Sequence, residues 1–455
     1  MNKLKNTIEQ FYATHKNRFE KSDSPFVNEQ REQAFQRFQE NGFPNHRMEN
    51  WKGSKLSQYL EKYYHLSFSD LTSSQHKAKL YECDIPGLRA HKVAIYNGHF
   101  HAEQGDLHTF DNGIIIGSLR AAIRQHPQII ERHFDQIRKK NHITDLNTAL
   151  FKDGLFIYVP ENVQSDRVIQ LSHGINGRVD SIFNVRNLII VEKNSRLNLI
   201  QCDDTDMETQ HFNTYVSEFW IDRDAQLNYY NYQNINNSTV LLQNSFFHLQ
   251  ENANLESTSF NLNGAMIRNE HHILLDGEYC EANVQGLYLA DRDQHIDNRV
   301  YVDHAKPNGI SRENFKGIMD DRANGIFHGH ILVRQDAQKT QAYQNNANIL
   351  LTDKAKINTH PFLEIYADDV SCSHGATIGQ LDEEAFFYMQ TRGIGAKDAK
   401  LLQLYAFTAE IINKIQLPHL LERTEDLIKK RLRGELDFCD RCVLNCKVVD
   451  KRIVE

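Results

Sequence analysis

Between about residues 155 and 370 the chain repeats one short phrase: a polar turn residue, a small residue, then an apolar residue two positions on. Asn194-Ser195-Arg196-Leu197, Asp224-Ala225-Gln226-Leu227 and Asn252-Ala253-Asn254-Leu255 are three copies, spaced by 30 and 28 residues. A weaker form recurs at 321–326 and a clear one at Asp353-Lys354-Ala355-Lys356-Ile357. A repeat of this length implies stacked units, each burying its apolar face against the next. The segments between corners are short and strand-like, and the corners are rich in Asn, which tolerates left-handed backbone and can stack in ladders. A β-sandwich also gives short strands but has no reason to repeat at this spacing. The pattern predicts a mainly β chain with a central parallel β-helix.

The flanks follow a different period. Leu4, Ile8, Phe11, Tyr12, His15 and Phe19 fall on one helical stripe. A second helix is predicted after Ser24-Pro25, with Ala34, Phe35 and Phe38 inward and a stop at Gly42 before Pro44. Strand-like segments follow at Val93–Tyr96 and 113–116, then a helical insert over 118–142, then a strand at 154–159. Beyond Gly393 helix returns: Leu401, Leu404, Tyr405, Thr408, Ile411, Ile412 and Ile415 form a stripe, Pro418 interrupts it, and Leu420, Leu427 and Ile428 continue it to Gly434. The predicted organisation is therefore a helical region over 1–90, a mixed lead-in over 91–154, the β-helix over 155–380 and a helical region over 381–455. With 455 residues, several units are expected. The two C-terminal helices are expected to cap the solenoid's end and to dock a partner.

The chemistry concentrates in Pro361–Ile394. Leu363, Ile365 and Tyr366 read as a short strand, Asp368-Asp369 follows, and Cys372 and His374 sit two apart at a strand end. If the strand persists, an i, i+2 pair shares one face, where a thiol and an imidazole could ligate a soft metal or act as nucleophile and base. Taken alone, the pair reads as structural, with the Cys as a small hydrophobe. Gly375 and Gly379 are expected to allow tight bends, Asp382 to cap a helix and Gly393 to end it. His360, before Pro361, reads as a turn residue.

These residues closely resemble the diagnostic end of the SufD family, a subunit of the Suf iron–sulfur cluster assembly scaffold. Ala367-Asp368-Asp369-Val370, Cys372-Ser373-His374-Gly375-Ala376-Thr377, Gly379-Gln380-Leu381-Asp382 and Arg392-Gly393-Ile394 carry the likeness. Upstream, Asn314-Phe315-Lys316-Gly317-Ile318, Phe327-His328-Gly329-His330-Ile331 and Ala337–Ala342 continue it in order. It covers roughly the last third of the chain and is fainter before Ala149. A Trp-centred segment at Glu49–Gly53 is also in place, although Gly53 departs from the usual pattern.

The resemblance implies a right-handed β-helix and a non-catalytic scaffold subunit that pairs with SufB and binds the SufC ATPase. It implies that His374, with Cys372 beside it, faces SufB and takes part in holding the nascent cluster, so that His374 is the candidate iron ligand. It places SufC on the C-terminal helices, where Tyr405, Lys429, Lys430, Arg431 and Arg433 are the candidate docking residues. Closure of SufC on ATP would pull on the helical ends and shift the β-helix interface. Reduced flavin at the level of the complex, and a homodimer of the isolated subunit, are left open.

Composition agrees with this picture. A formal net charge of −8 gives no basic footprint for nucleic acid, and no apolar run is long enough to span a bilayer. The amphipathic start lacks the apolar core of a signal peptide, so a cytoplasmic protein is expected. No Walker-type loop is present, so this chain is not expected to bind nucleotide itself. Seven Cys do not make a disulfide framework. Cys439, Cys442 and Cys446 could bind zinc or an iron–sulfur cluster. Their i, i+3, i+7 spacing with Phe438 and Val443 beside them also describes one packed helical face, and that reading is preferred. Three other functions remain open to such a chain: a SufB-type paralogue, against which this SufD form of the Cys-Ser-His-Gly motif speaks; a β-helix polysaccharide lyase or hydrolase, for which no acidic groove is evident; and a bare adaptor.

Overall fold

The computed structural model describes residues 2–21, 23–67, 85–165, 167–175, 179–205 and 209–435. Two helices, Asn2–Glu20 and Pro25–Asn41, open the chain. Ser24 caps the second by accepting from Val27 N, and Gly42, with φ of 62°, ends it. Leu4, Ile8, Tyr12, Ala34, Phe35 and Phe38 are buried as their spacing predicts.

The strands, in chain order, are β1 (Ala90–Tyr96), β2 (His99–His101), β3 (Leu107–Thr109), β4 (Ile115–Ser118), β5 (Leu155–Val159), β6 (Val168–Ile175), β7 (Ser181–Val191), β8 (Arg196–Thr205), β9 (His211–Ile221), β10 (Gln226–Asn234), β11 (Val240–Leu249), β12 (Asn254–Asn263), β13 (Met266–Leu275), β14 (Glu281–Ala290), β15 (His295–His304), β16 (Ile310–Met319), β17 (Asn324–Val333), β18 (Gln341–Leu350), β19 (Lys356–Ile365) and β20 (Ser371–Gly379). They alternate between two sheets, ordered β2-β1-β6-β8-β10-β12-β14-β16-β18-β20 and β19-β17-β15-β13-β11-β9-β7-β5-β4-β3. From β5 onward neighbours pair in parallel, so each coil contributes one strand to each sheet and the whole is a parallel β-solenoid. The lead-in belongs partly to it, because β1 pairs in parallel with β6. The helical insert is three short helices, Leu119–Gln125, Pro127–His133 and His142–Leu150, running further than the expected end at 142.

Register explains the repeat. Leu197, Leu227 and Leu255 stand directly beside one another and continue as Ala282, Ser311, Ala342 and Cys372. This inward column is part of one apolar core running the length of the solenoid. The corner residues before it, Asn194, Asp224 and Asn252, all adopt positive φ, and Asn252 Nδ2 donates to Asp224 Oδ1 at 3.1 Å. The copies at 321–326 and 353–357 belong to the opposite corner, entering β17 and β19. Two corner types, not one, produced the sequence pattern.

Both outer faces are covered. The N-terminal helices pack on Ile182, Phe212, Val240, Leu242 and Met266 of the second sheet. Arg268 lies 3.8 Å from the centre of the Trp51 ring and pairs with Asp297 at 2.5 Å, fixing the Glu49–Trp51 turn on that sheet. The helices Ala396–Ile412 and Pro418–Leu432 pack on the first sheet through Tyr230, Tyr232, Phe260, Leu262, Leu287 and Leu289. They lie along the flank of the solenoid rather than across its end, which corrects the expected cap. The reason is that β10, β12 and β14 carry large apolar residues on their outward positions as well, and that face needs cover.

Candidate functional site

The two ends of the solenoid differ. At the start, the sheets finish in strands of three residues, β2 and β3, set antiparallel to their neighbours. At the other end, among the described residues, β19 pairs with β17 alone and β20 with β18 alone. Each of these final strands therefore presents an edge of unpaired main-chain N–H and C=O groups. Large apolar side chains surround those edges: Phe362, Ile365, Tyr366 and Ile378 are all exposed, Tyr366 at 60%.

Cys372 and His374 lie within β20, near its beginning, and not at the end of the preceding strand as the sequence suggested. Gly375 and Gly379 also lie inside β20, with no positive φ, so the bend between strands falls at Asp368-Asp369 instead. His360 and Pro361 are strand residues of β19 rather than a turn. An edge strand tolerates Pro because a missing donor there need not break a ladder.

Register puts both candidate side chains on the inward column of the final coil. Cys372 stands beside Ala342, and His374 beside Gln344, two positions that are buried. With no further coil above them, Cys372 is half-buried against the core and His374 is exposed. Burial pushes the Cys372 thiol above its ordinary range, so in the free chain it is protonated. Thiolate, the form that binds metal, must await a changed environment.

Beneath His374 the column continues inward. Gln344 donates to Glu313 Oε2 at 2.7 Å, and Glu313 stands beside Gln344 on β16. Gly329, across the interior, makes this possible: a Cβ there would fall 2.1 Å from Gln344 Nε2. Gln344 Oε1 and Glu313 Oε1 have no hydrogen-bond partner among the described residues. Burial pushes the Glu313 carboxyl up to about 8, only partly offset by the Gln344 amide, so it is neutral at pH 7. Sequence reading missed both residues. Strand register alone places Gln344 and Glu313 one and two coils before His374 on the same column.

Two regions of sequence match family models for this architecture. Residues 173–407 match the SufBD core domain of SUF-system FeS cluster assembly, and residues 2–171 match the SufBD N-terminal region. The chain belongs to the SufBD family. This makes it an iron–sulfur cluster assembly protein. It is 27% identical to an iron–sulfur cluster assembly SufBD family protein of Synechocystis over 357 residues, 76% of this chain and 79% of that one. It is 38% identical to the iron–sulfur cluster assembly protein SufD of Escherichia coli over 186 residues, 41% of this chain and 44% of that one. A SufBD family protein of Staphylococcus saprophyticus is 25% identical over 329 residues, 72% of this chain and 70% of that one.

For a SufBD protein the ligand set matters. Among the described residues no group of three or more His, Cys, Asp or Glu side chains is placed to hold a metal ion. His374 and Cys372 are thus two candidate donors at an open edge, short of a full ligand set among the described residues. The triplet Cys439, Cys442 and Cys446 lies outside the described residues. No described helix is long and apolar enough to cross a membrane.

The SufBD C-terminal helices sort the candidate docking residues. Ile412 and Ile415 are buried as expected, and Tyr405 is half-buried, with Lys429 Nζ 4.6 Å from its ring centre. Lys429 and Lys430 pair along their own helix with Glu425 and Asp426 at 3.3 and 2.7 Å. Arg433 is exposed. Arg431 is not: it is buried, and donates to Leu262 O and Asp291 Oδ2, each at 2.8 Å. It fastens the helix to the solenoid and is withdrawn as an exposed docking residue. The helix Glu383–Thr391, capped by Asp382, buries none of its side chains, and Phe387 and Tyr388 are exposed.

Proposed function

We propose that this SufBD-family chain is a SufD-type scaffold subunit, pairing with a SufB-like subunit through the free edges of β19 and β20 and binding a SufC-like ATPase on its C-terminal helices. The observation carrying this reading is the inward column that ends, unpaired, in Cys372 and His374. A partner strand adding to β20 would extend the ladder and set its own side chains against that pair. Neutral imidazole binds ferrous iron, and its weakness beside thiolate suits a site that must later release its cluster. In isolation the same edges are open to a second copy. The chain itself works without catalysing a reaction; ATP turnover by the SufC-like subunit drives the change at the interface.

The test is coexpression with the SufB-like and SufC-like subunits, anaerobic purification, and measurement of iron and acid-labile sulfide against complex yield. His374→Ala should leave the complex intact and sharply lower its cluster content. Stability should change by no more than about 0.5 kcal/mol, as for other exposed positions. Cys372→Ala in parallel separates the roles of the two donors. Normal cluster content in the His374 variant, or loss of the complex itself, would remove His374 from the assignment.

A further inference from the structure

Far from the open end, a depression of about 480 Å³ lies between the first helix and the helix Leu119–Gln125. His15, Arg18 and Lys21 line it from one side and Arg120 and Arg124 from the other, with no acidic side chain in the lining. Lys21, Arg120 and Arg124 make no side-chain ion pair among the described residues, and Arg120 Nε is buried without a hydrogen-bond acceptor. The adjoining depression shows the usual state of affairs, with Lys16 paired to Glu32 at 2.7 Å and Arg31 to Asp23 at 2.5 Å. In a chain with 60 acidic and 52 basic residues, three cations left without carboxylates in one concavity call for a cause.

Helix dipoles supply part of one. Arg18 and Arg124 occupy the last turns of their helices, where cations are favoured. Arg120 is the second residue of its helix, where a cation is not, and its desolvated Nε–H still lacks an acceptor. A buried donor left unmade is expensive, and more so on a charged group. An oxyanion in the depression would satisfy it, and two guanidinium forks facing one space suit phosphate oxygens in particular.

We infer that this depression binds a small molecule carrying two or more phosphate groups. Two or more follows from three unpaired cations, since a single phosphate, carrying about −1.5 to −2, would leave at least one of them uncompensated. A nucleic acid backbone is disfavoured because the basic residues form one concavity, not a stripe, on a chain of net charge −8. The inference is independent of the scaffold role.

Calorimetric titration of the full chain at low ionic strength tests it, with tripolyphosphate, ATP and adenosine as separate probes. Tripolyphosphate and ATP should both saturate, adenosine should not, and rising salt should weaken binding. Arg120→Gln with Arg124→Gln should weaken tripolyphosphate at least tenfold, while Lys16→Gln in the adjoining depression should leave it unchanged. Should the Arg120 change disturb folding, the exposed pair Lys21→Gln with Arg124→Gln serves instead, with at least a fivefold loss expected. Absence of saturable tripolyphosphate binding at millimolar concentration, equal binding by the variants, or binding of ATP without tripolyphosphate would each overturn the assignment.

Discussion

Replacing Glu313 by Gln asks little of the solenoid interior, because the carboxyl there is already held neutral. An unfolded Glu ionises near 4.5, whereas the buried one holds its proton to about 8. Between these values the native state binds more protons than the unfolded state, so this residue's contribution falls as pH rises, by about 1.4 kcal/mol per unit, and levels off above 8. Glu313→Gln should therefore gain on the parent progressively from pH 5 to 8 in urea midpoint, and match it near pH 4.5. His271, His295 and His304, which burial pushes down to about 4, act in the opposite sense below pH 6.5. They are common to both proteins and cancel in the comparison. Parallel profiles would mean that Glu313 is ionised in the native state. Nothing in Ser311-Arg312-Glu313-Asn314 marks it in sequence, for a polar run hides the alternation that faces every second residue inward. His374 was legible only because a motif surrounds it.

The corners show why part of the repeat could be read and part could not. Asn194, Asp224 and Asn252 take positive φ with side chains suited to it, and these are the coils the sequence reveals. Tyr279, Asn308 and Lys339 occupy the same corner in later coils, also with positive φ, yet Tyr279 and Lys339 break the pattern. The fold there is imposed by strand pairing on both sides, against local preference. Tyr279, whose side chain is 58% exposed, loses little packing on replacement. Tyr279→Asn should stabilise by up to ~1 kcal/mol, and Asn252→Val should destabilise by roughly 1–2 kcal/mol. Chemical denaturation of both variants checks this, and equal stabilities would show that the corner backbone relaxes.

In the intact molecule the C-terminal helices serve the solenoid first. They cover Tyr230, Tyr232 and Phe260, and Tyr232 OH bonds Thr424 Oγ1 at 2.5 Å. Deleting them would bare that flank, so their role in docking is better probed on their outer side. Lys430→Glu with Arg433→Glu should weaken capture of a SufC-like ATPase while leaving the melting temperature unchanged. Arg431→Ala should lower stability by roughly 2 kcal/mol or more, through the bonds it makes to Leu262 and Asp291. Capture unaffected by the double change would move the docking surface elsewhere, with the exposed Phe387 and Tyr388 next to be tried. Helix existence and the buried stripe were plain in the sequence. The flank they cover was not, because strands apolar on both faces give no alternation to say which side is out.

The unequal ends carry a last consequence. A rod whose two tips were alike could add copy upon copy into a filament, each tip recruiting the next. Here, among the described residues, one tip is blunted by the three-residue strands β2 and β3, and the other ends in the longer edge strands β19 and β20. If subunits pair through that tip as proposed, the joint uses up its long edges, and edge-to-edge association is expected to stop at two rods.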